Sequence, residues 1–201
     1  MPGVLRFIIA LGVIGFVSAI GLAEDKLADS TPFYPLNVGD SWDYKTRDGI
    51  RETRKVSSIE KVNGIPCAKV VQMVDGKERG TEFIGVKADG VYRLAFGIAK
   101  PENPVLFLKL PLKEGDSWTV EGKATGETFK ATFKVGAEKT IKVPAGEFKA
   151  FPVSTDDLVA AGVKASSTIY YAPNVGVVMH EFKSGNQTTI SELEKFTPKG
   201  K

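Results

Sequence analysis

The stretch FKATFKV at 129–135 alternates strictly: Phe129, Ala131, Phe133 and Val135 share one face, and Lys130, Thr132 and Lys134 share the other. A period of two with one apolar side predicts a half-buried β-strand. Most of the chain repeats this character, in runs of about 8 to 12 residues rich in Val, Ile, Thr, Phe and Tyr. Turn signals separate the runs: Asp48-Gly49, Asn63-Gly64, Asp75-Gly76, Asp89-Gly90, Val143-Pro144-Ala145-Gly146 and Ser184-Gly185-Asn186. The Asn-Gly and Asp-Gly pairs tolerate the positive φ of tight hairpin turns.

Two stretches depart from the alternation. VLFLKLPL at 105–112 is apolar almost throughout, so it is covered on both faces or lines a cavity. STDDLVAAG at 154–162 has room for one helical turn. SELEKF at 191–196 reads as the last strand, although Leu193 and Phe196, three apart, also suit a short helix. No long window carries a helical period. The expected fold is all-β: an antiparallel meander sheet of about twelve strands, curled into a barrel or half-barrel to hide its edges.

The start of the chain is different. MPGVLR carries one arginine, FIIALGVIGFVSAIGLA is apolar, and EDK opens the polar chain. This is the pattern of a secretory signal peptide, with cleavage after Ala23 or after Ala19. The rival reading is a retained anchor; the apolar run of about 17 residues is at the lower limit for crossing a bilayer. With cleavage, no stable membrane span remains and the protein is exported, to the periplasm or beyond. No cysteine stands at the boundary to carry a lipid. The domain plan is a signal peptide at 1–23, a loose lead-in at 24–33, one β domain at 34–197 and a frayed tail at 198–201.

Composition is ordinary for a globular chain of 201 residues, 42% hydrophobic and 25% charged. The formal charge of +3 arises from 27 basic and 24 acidic residues spread without blocks, which argues against nucleic acid as a partner. Cys67 is the single cysteine, so no internal disulfide staples the fold. It sits in IPCAKVV as a small buried hydrophobe; a reactive thiol would need a cation beside it, and Lys69 is nearest in sequence.

One tetrapeptide occurs twice. YPLNVGDSWDY at 34–44 and LPLKEGDSWTV at 110–120 share Pro-Leu, two residues, then Gly-Asp-Ser-Trp. Read as architecture, Gly39 and Gly115 take a positive φ in a turn. Asp40 and Asp116 close the turn on backbone amides ahead of them, and Trp42 and Trp118 plant a ring on the inner face of the strand that follows. Read as an esterase box, Ser41 or Ser117 needs a histidine base. The one histidine, His180, cannot serve both. It lies in VGVVMHEFK with Val178 and Phe182 as same-face neighbours, so a core or rim position is expected. In the G-D-S-L esterases an aspartate stands three residues before the base; here that residue is Val177. With one His and one Cys, transition-metal binding is not expected. The Asp156-Asp157 pair reads as a loop start, and no cofactor motif is present.

Three stretches together, YPLNVGDSWDYK, KVPAGEFKAFPV and IYYAPNVGVVMHEFK, resemble a set of exported bacterial β-domains of unknown function, the TapB-like family. The resemblance spans about residues 33–197. The matching positions are Gly39, Trp42, Tyr44, Pro144, Gly146, Phe148, Tyr170, Tyr171 and Gly176, which are turn residues and aromatics. It implies an extracytoplasmic β-meander distantly like the half-barrels of periplasmic lipoprotein carriers, with no catalytic residues. Many members are lipoproteins; this chain lacks their cysteine.

The expected function is therefore a non-enzymatic binding domain of the cell envelope, with no metal or other cofactor, holding an apolar or amphipathic ligand in the curl of its sheet. Docking on another exported protein is the alternative, and serine hydrolase chemistry a remote third. No ligand-binding residue is assigned. An enclosed apolar space of several hundred Å³ favours a ligand, and a filled curl favours a protein partner.

Overall fold

The computed structural model describes residues 31–200 except residue 98. The expected signal peptide and most of the lead-in lie outside the described residues. Thirteen strands follow one another, and no helix occurs among the described residues. The first six are β1 (Ser41–Thr46), β2 (Arg51–Val62), β3 (Ile65–Val74), β4 (Lys77–Lys87), β5 (Gly90–Phe96) and β6 (Val105–Lys109). The other seven are β7 (Ser117–Ala124), β8 (Glu127–Val135), β9 (Lys139–Val143), β10 (Gly146–Ala160), β11 (Val163–Ala172), β12 (Gly176–Ser184) and β13 (Gln187–Thr197).

The order across the sheet is β6-β5-β4-β3-β2-β1-β13-β12-β11-β10-β8-β7, with β9 paired to β10 off this path. Two meanders, β1–β6 and β7–β13, join through the β1–β13 ladder. The sheet is nearly closed into a barrel, with one seam between β6 and β7. The expected all-β meander of about twelve strands is found; the additional strand is β9.

The expected helical turn at 154–162 is a correction: these residues belong to β10. The irregularity that suggested a turn is a bulge between Thr155 and Leu158. There the Asp157 carboxylate accepts a hydrogen bond from the Thr132 amide at 2.7 Å and from the Thr155 hydroxyl at 2.9 Å. A side-chain acceptor takes over where the ladder slips, and the chain stays extended. SELEKF lies within β13 as a strand.

Both GDSW copies build the same turn. Gly39 and Gly115 have φ of +104° and +84°. The Gly39 amide donates to the Val56 carbonyl, and the Val56 amide returns to the Asp40 carbonyl, each at 2.9 Å. Gly115, Val135 and Asp116 repeat the arrangement at 2.9 Å. The aspartates act differently from expectation. The Asp40 carboxylate reaches back, accepting from the Asn37 amide at 2.9 Å, and outward to the Lys199 amide at 2.7 Å. Asp116 faces Lys109 at 3.7 Å. The Lys199 contact holds that residue against the first GDSW turn.

One end of the barrel is closed. Thr31 is buried, and Phe33 packs edge-on against Phe151, so residues 31–33 belong to the fold. Tyr34 enters the barrel between Phe107 and Tyr171. The turn after β11 meets this plug: the Asn174 amide donates to the Pro32 carbonyl at 2.7 Å, and the Trp42 indole to the Val175 carbonyl at 2.6 Å. Above it lies the apolar core, which includes Val56, Ile84, Val91, Leu108, Val178 and Leu193. The hairpin of β9 and the start of β10 packs across the outside of β12 and β13, with Ile141 and Val143 buried.

Trp42 is 6% exposed and stacks on Phe196; Trp118 is half-buried and stacks on Phe133. Trp42→Ala is expected to destabilise by about 3–5 kcal/mol, the range for emptying a core aromatic site. Gly115→Val is expected to cost more than about 1 kcal/mol through backbone strain alone, since nothing lies within 4 Å of the added Cβ. Urea midpoints of the two variants check both values, and unchanged midpoints would contradict the architectural role of GDSW.

Candidate functional site

The upper half of the barrel interior is polar. Cross-strand partners share a face, so the row Trp42–Arg54–Gln72 and the pair Tyr44–Glu52 point inward with the core. The Glu52 carboxylate accepts from Arg54 Nε and, at 2.8 Å, from Gln72 Nε2. The Arg54 guanidinium lies 5.5 Å above the Tyr44 ring. From β5, Arg93 pairs with Glu82 at 2.9 Å and lies 5.1 Å from the Phe107 ring centre. Glu82 is only 4% exposed; a carboxylate at that depth requires its guanidinium.

This wall is not sealed. The Arg54 and Arg93 side chains are 25% and 39% exposed, and Phe96, at the end of Arg93's own strand, is exposed. The Tyr171 hydroxyl makes no protein hydrogen bond, although the residue is 1% exposed. Burial pushes the Tyr34 phenol up to about 12 and raises Tyr171 further, with Glu82 adding to the rise and Arg54 and Arg93 opposing it. Arg54 stays charged: burial lowers its pKa, but Glu52 and then Glu82 more than offset that. The arrangement is a narrow polar basin above the core, lined by tyrosine rings and guanidinium groups, with solvent reaching it at the two arginines.

His180 stands on the inner face of β12, opposite Ile169 and Ser191. Its Nε2 lies 2.9 Å from the Ser167 hydroxyl, and its ring is tilted on Phe182 at 6.1 Å. Burial, with Arg54 next, lowers its pKa to about 4, against Glu52. Ser41 and Ser117 alternate with Trp42 and Trp118 and so face the outside, away from His180. The serine that the imidazole does touch, Ser167, was not singled out in the sequence. No carboxylate contacts the second ring nitrogen, and an imidazole of such low basicity is a poor general base.

Cys67 is buried, and its thiol donates to the Glu60 carbonyl at 3.3 Å. Lys69 pairs with Glu60 at 3.2 Å rather than activating the thiol, and burial raises the thiol pKa. Asp156-Asp157 lies within β10 and is not a loop start. No cluster of three or more His, Cys, Asp or Glu suited to a metal occurs among the described residues. Arg54, Glu52, Glu82 and Arg93 were missed in the sequence. The signal was present in RETRKV, where Glu52 and Arg54 share the parity of Val56.

Cavities are small in the core and larger at the seam. Between Tyr34, Trp42, Tyr44 and Arg54 the space is about 20 Å³, room for one water. An enclosed apolar space of several hundred Å³ is not seen there. At the seam an open cleft of about 250 Å³ lies between Asn103, Val105 and residues 119–123. A rim groove of about 540 Å³ adjoins it through Gly122 and Phe129. VLFLKLPL forms the seam edge β6 and its exit: Phe107 and Leu108 are buried, Val105 and Leu106 half-buried.

Two solved structures are similar to this chain. One is a candidate lipoprotein of Parabacteroides distasonis ATCC 8503, with TM-score 0.59 and 14% identity, over 84% of this chain and 100% of that one. The other is a candidate exported protein with YmcC-like fold from Bacteroides fragilis NCTC 9343, with TM-score 0.56 and 15% identity over the same shares. At these identities the likeness is one of fold. No protein-family model matches the chain, and no curated protein does. The TapB-like resemblance therefore rests on its three motifs. No helix among the described residues is long and apolar enough to cross a membrane.

Two outcomes are expected. His180 has a folded pKa below its unfolded value, so the folded form binds fewer protons between about pH 6.5 and 4. Its contribution to stability is complete above that window and is lost as pH falls through it. His180→Asn should flatten that part of the stability–pH curve relative to wild type, as read by urea midpoints. A fluorophosphonate serine probe should label neither Ser41, Ser117 nor Ser167. Stoichiometric labelling of any of them, abolished by His180→Ala, would overturn the non-catalytic reading.

Proposed function

We propose that the protein is an extracytoplasmic, non-enzymatic β-barrel domain that binds an amphipathic molecule by its anionic head group, on the partly exposed guanidinium groups of its upper basin. The observation that carries this reading is Arg54. Its Nε is engaged by Glu52, while its two terminal nitrogens have no protein acceptor and the side chain is 25% exposed. Such donors suit a carboxylate or phosphate oxygen. The half-buried inner face of β7 and β8, with Trp118, Val120 and Phe133, offers an apolar wall for the rest of the molecule. The filled lower barrel argues against a wholly enclosed apolar ligand. The signal-like start of the chain and the descriptions of the two similar structures, one a lipoprotein and one exported, support an extracytoplasmic location.

Titration calorimetry with decanoate, decanol and decyltrimethylammonium tests the reading. Saturable binding of decanoate alone is expected, weakened at least tenfold in the Glu52→Gln/Arg54→Gln double variant, which leaves no unpaired buried charge. Equal binding of decanol, or no saturable binding of decanoate, would refute it.

A further inference from the structure

The two ends of the sheet meet at the seam but do not pair, and the contrast with the equivalent junction is informative. Each GDSW turn opens a strand that pairs with the strand next in sequence, β1 with β2 and β7 with β8. On its other side β1 is closed by a ladder with β13 from Ser41 to Thr46. The same side of β7 faces β6 with no ladder. Contact is made only at the ends. At the rim, Pro101 bridges Ala124, and the Glu102 amide donates to the Lys123 carbonyl at 3.0 Å. Near the core, the Trp118 indole spans the gap to the Leu106 carbonyl at 3.1 Å. A side chain that fills the interval between two strands holds them wider than the ~4.8 Å of a ladder.

The backbone of β7 between these contacts is turned toward the gap. Main-chain groups alternate sides along a strand. The Lys123 carbonyl and Thr125 amide point across the seam, to Glu102 and Lys100, so those of Thr119 and Glu121 do too, while Val120 and Gly122 bond β8. No hydrogen bond joins residues 119–122 to β6. The 250 Å³ cleft lies along this stretch, and the Phe129 ring, which also lines it, packs over Gly122, where a Cβ would stand 3.1 Å from it. The adjoining rim groove gives a chain an exit past Thr128 and Val159.

We infer that the seam accepts an extended peptide segment of another polypeptide, which adds as a strand along the β7 edge by main-chain hydrogen bonds to Thr119 and Glu121. Unpaired main-chain donors and acceptors in one row are specific for an extended backbone, and that mode of recognition tolerates many side-chain sequences. An apolar small molecule would leave those groups unsatisfied. The bound segment takes the place of the Trp118 hydrogen bond to Leu106, so β7 moves with the indole. This inference is independent of the basin.

Hydrogen exchange on the full folded protein tests it, with a blocked heptapeptide of alternating threonine and valine as probe. The Thr119 and Glu121 amides should exchange faster than those of Val120 and Gly122 in the free protein, and slow at least tenfold with the peptide. The same peptide methylated on alternate amide nitrogens should give no slowing. Glu121→Pro removes the seam donor without touching a β8 bond and should abolish the protection of Thr119; Glu121→Ala should retain it. Should Glu121→Pro fail to fold, the methylated peptide decides. Equal protection by both peptides, no protection by either, or protection that grows with protein concentration without peptide (a second copy in the seam) would overturn the proposal.

Discussion

The structure depends on a pair of hydrogen bonds made twice. A glycine amide donates to a strand carbonyl, and that strand residue's amide returns to the following aspartate carbonyl, at Gly39–Val56–Asp40 and again at Gly115–Val135–Asp116. Each pair ties the residue just before a strand to that strand's hairpin partner, within β2 in one case and at the end of β8 in the other. It thereby fixes register, and register decides which parity faces inward. The tryptophan two residues after the aspartate then falls inward both times. One indole locks the closed end to Val175, and the other reaches over the seam to Leu106.

Because the same device starts both halves of the sheet, the different fates of its outer edge stand out. At β1 the edge is consumed by β13 and the sheet is continuous. At β7 it is not. Exposed edges invite pairing with other chains, and folded proteins usually cover, shorten or charge them. Here the edge is guarded by the Lys109–Asp116 ion pair at 3.7 Å and by one indole. Such an exposed pair is worth only about 0–1 kcal/mol, so the guard is light and the seam is where the barrel opens at least expense.

Much of this was legible in the sequence. Alternation in 129–135, the Asn-Gly and Asp-Gly turns and the GDSW repeat led to an all-β meander, because local chemistry and tertiary structure agree there. Asn63 and Asp75 have φ of 50° and 47°, as their turns require. Thr125 and Ala161 adopt the same left-handed geometry, at 52° and 49°, with residue types that give no warning; tertiary pairing imposes it on them. The Asp156-Asp157 pair misled for a related reason. Its second carboxylate replaces a ladder bond to Thr132, a long-range event that no local window contains. The basin was hidden because charge at inward parity looks like a solvated strand until the barrel closes around it. The seam was hidden because single-chain periodicity says nothing about which two edges meet.

The basin also explains why the upper barrel is not filled like the lower. Replacing buried ion pairs by apolar side chains of similar volume is often neutral or stabilising by about 1–4 kcal/mol. Val56, Val70 and Ile84 show that these same strands carry apolar side chains inward one or two positions away. Stability alone therefore does not account for Glu52, Arg54, Glu82 and Arg93. Each pair holds its guanidinium by one edge, fixes it over an aromatic ring and leaves other N–H groups without a protein acceptor. A guanidinium oriented in advance loses little freedom when an anion arrives. The carboxylates that lock the arginines thus serve orientation at the expense of net charge, and binding in such a basin would depend on geometry more than on long-range attraction.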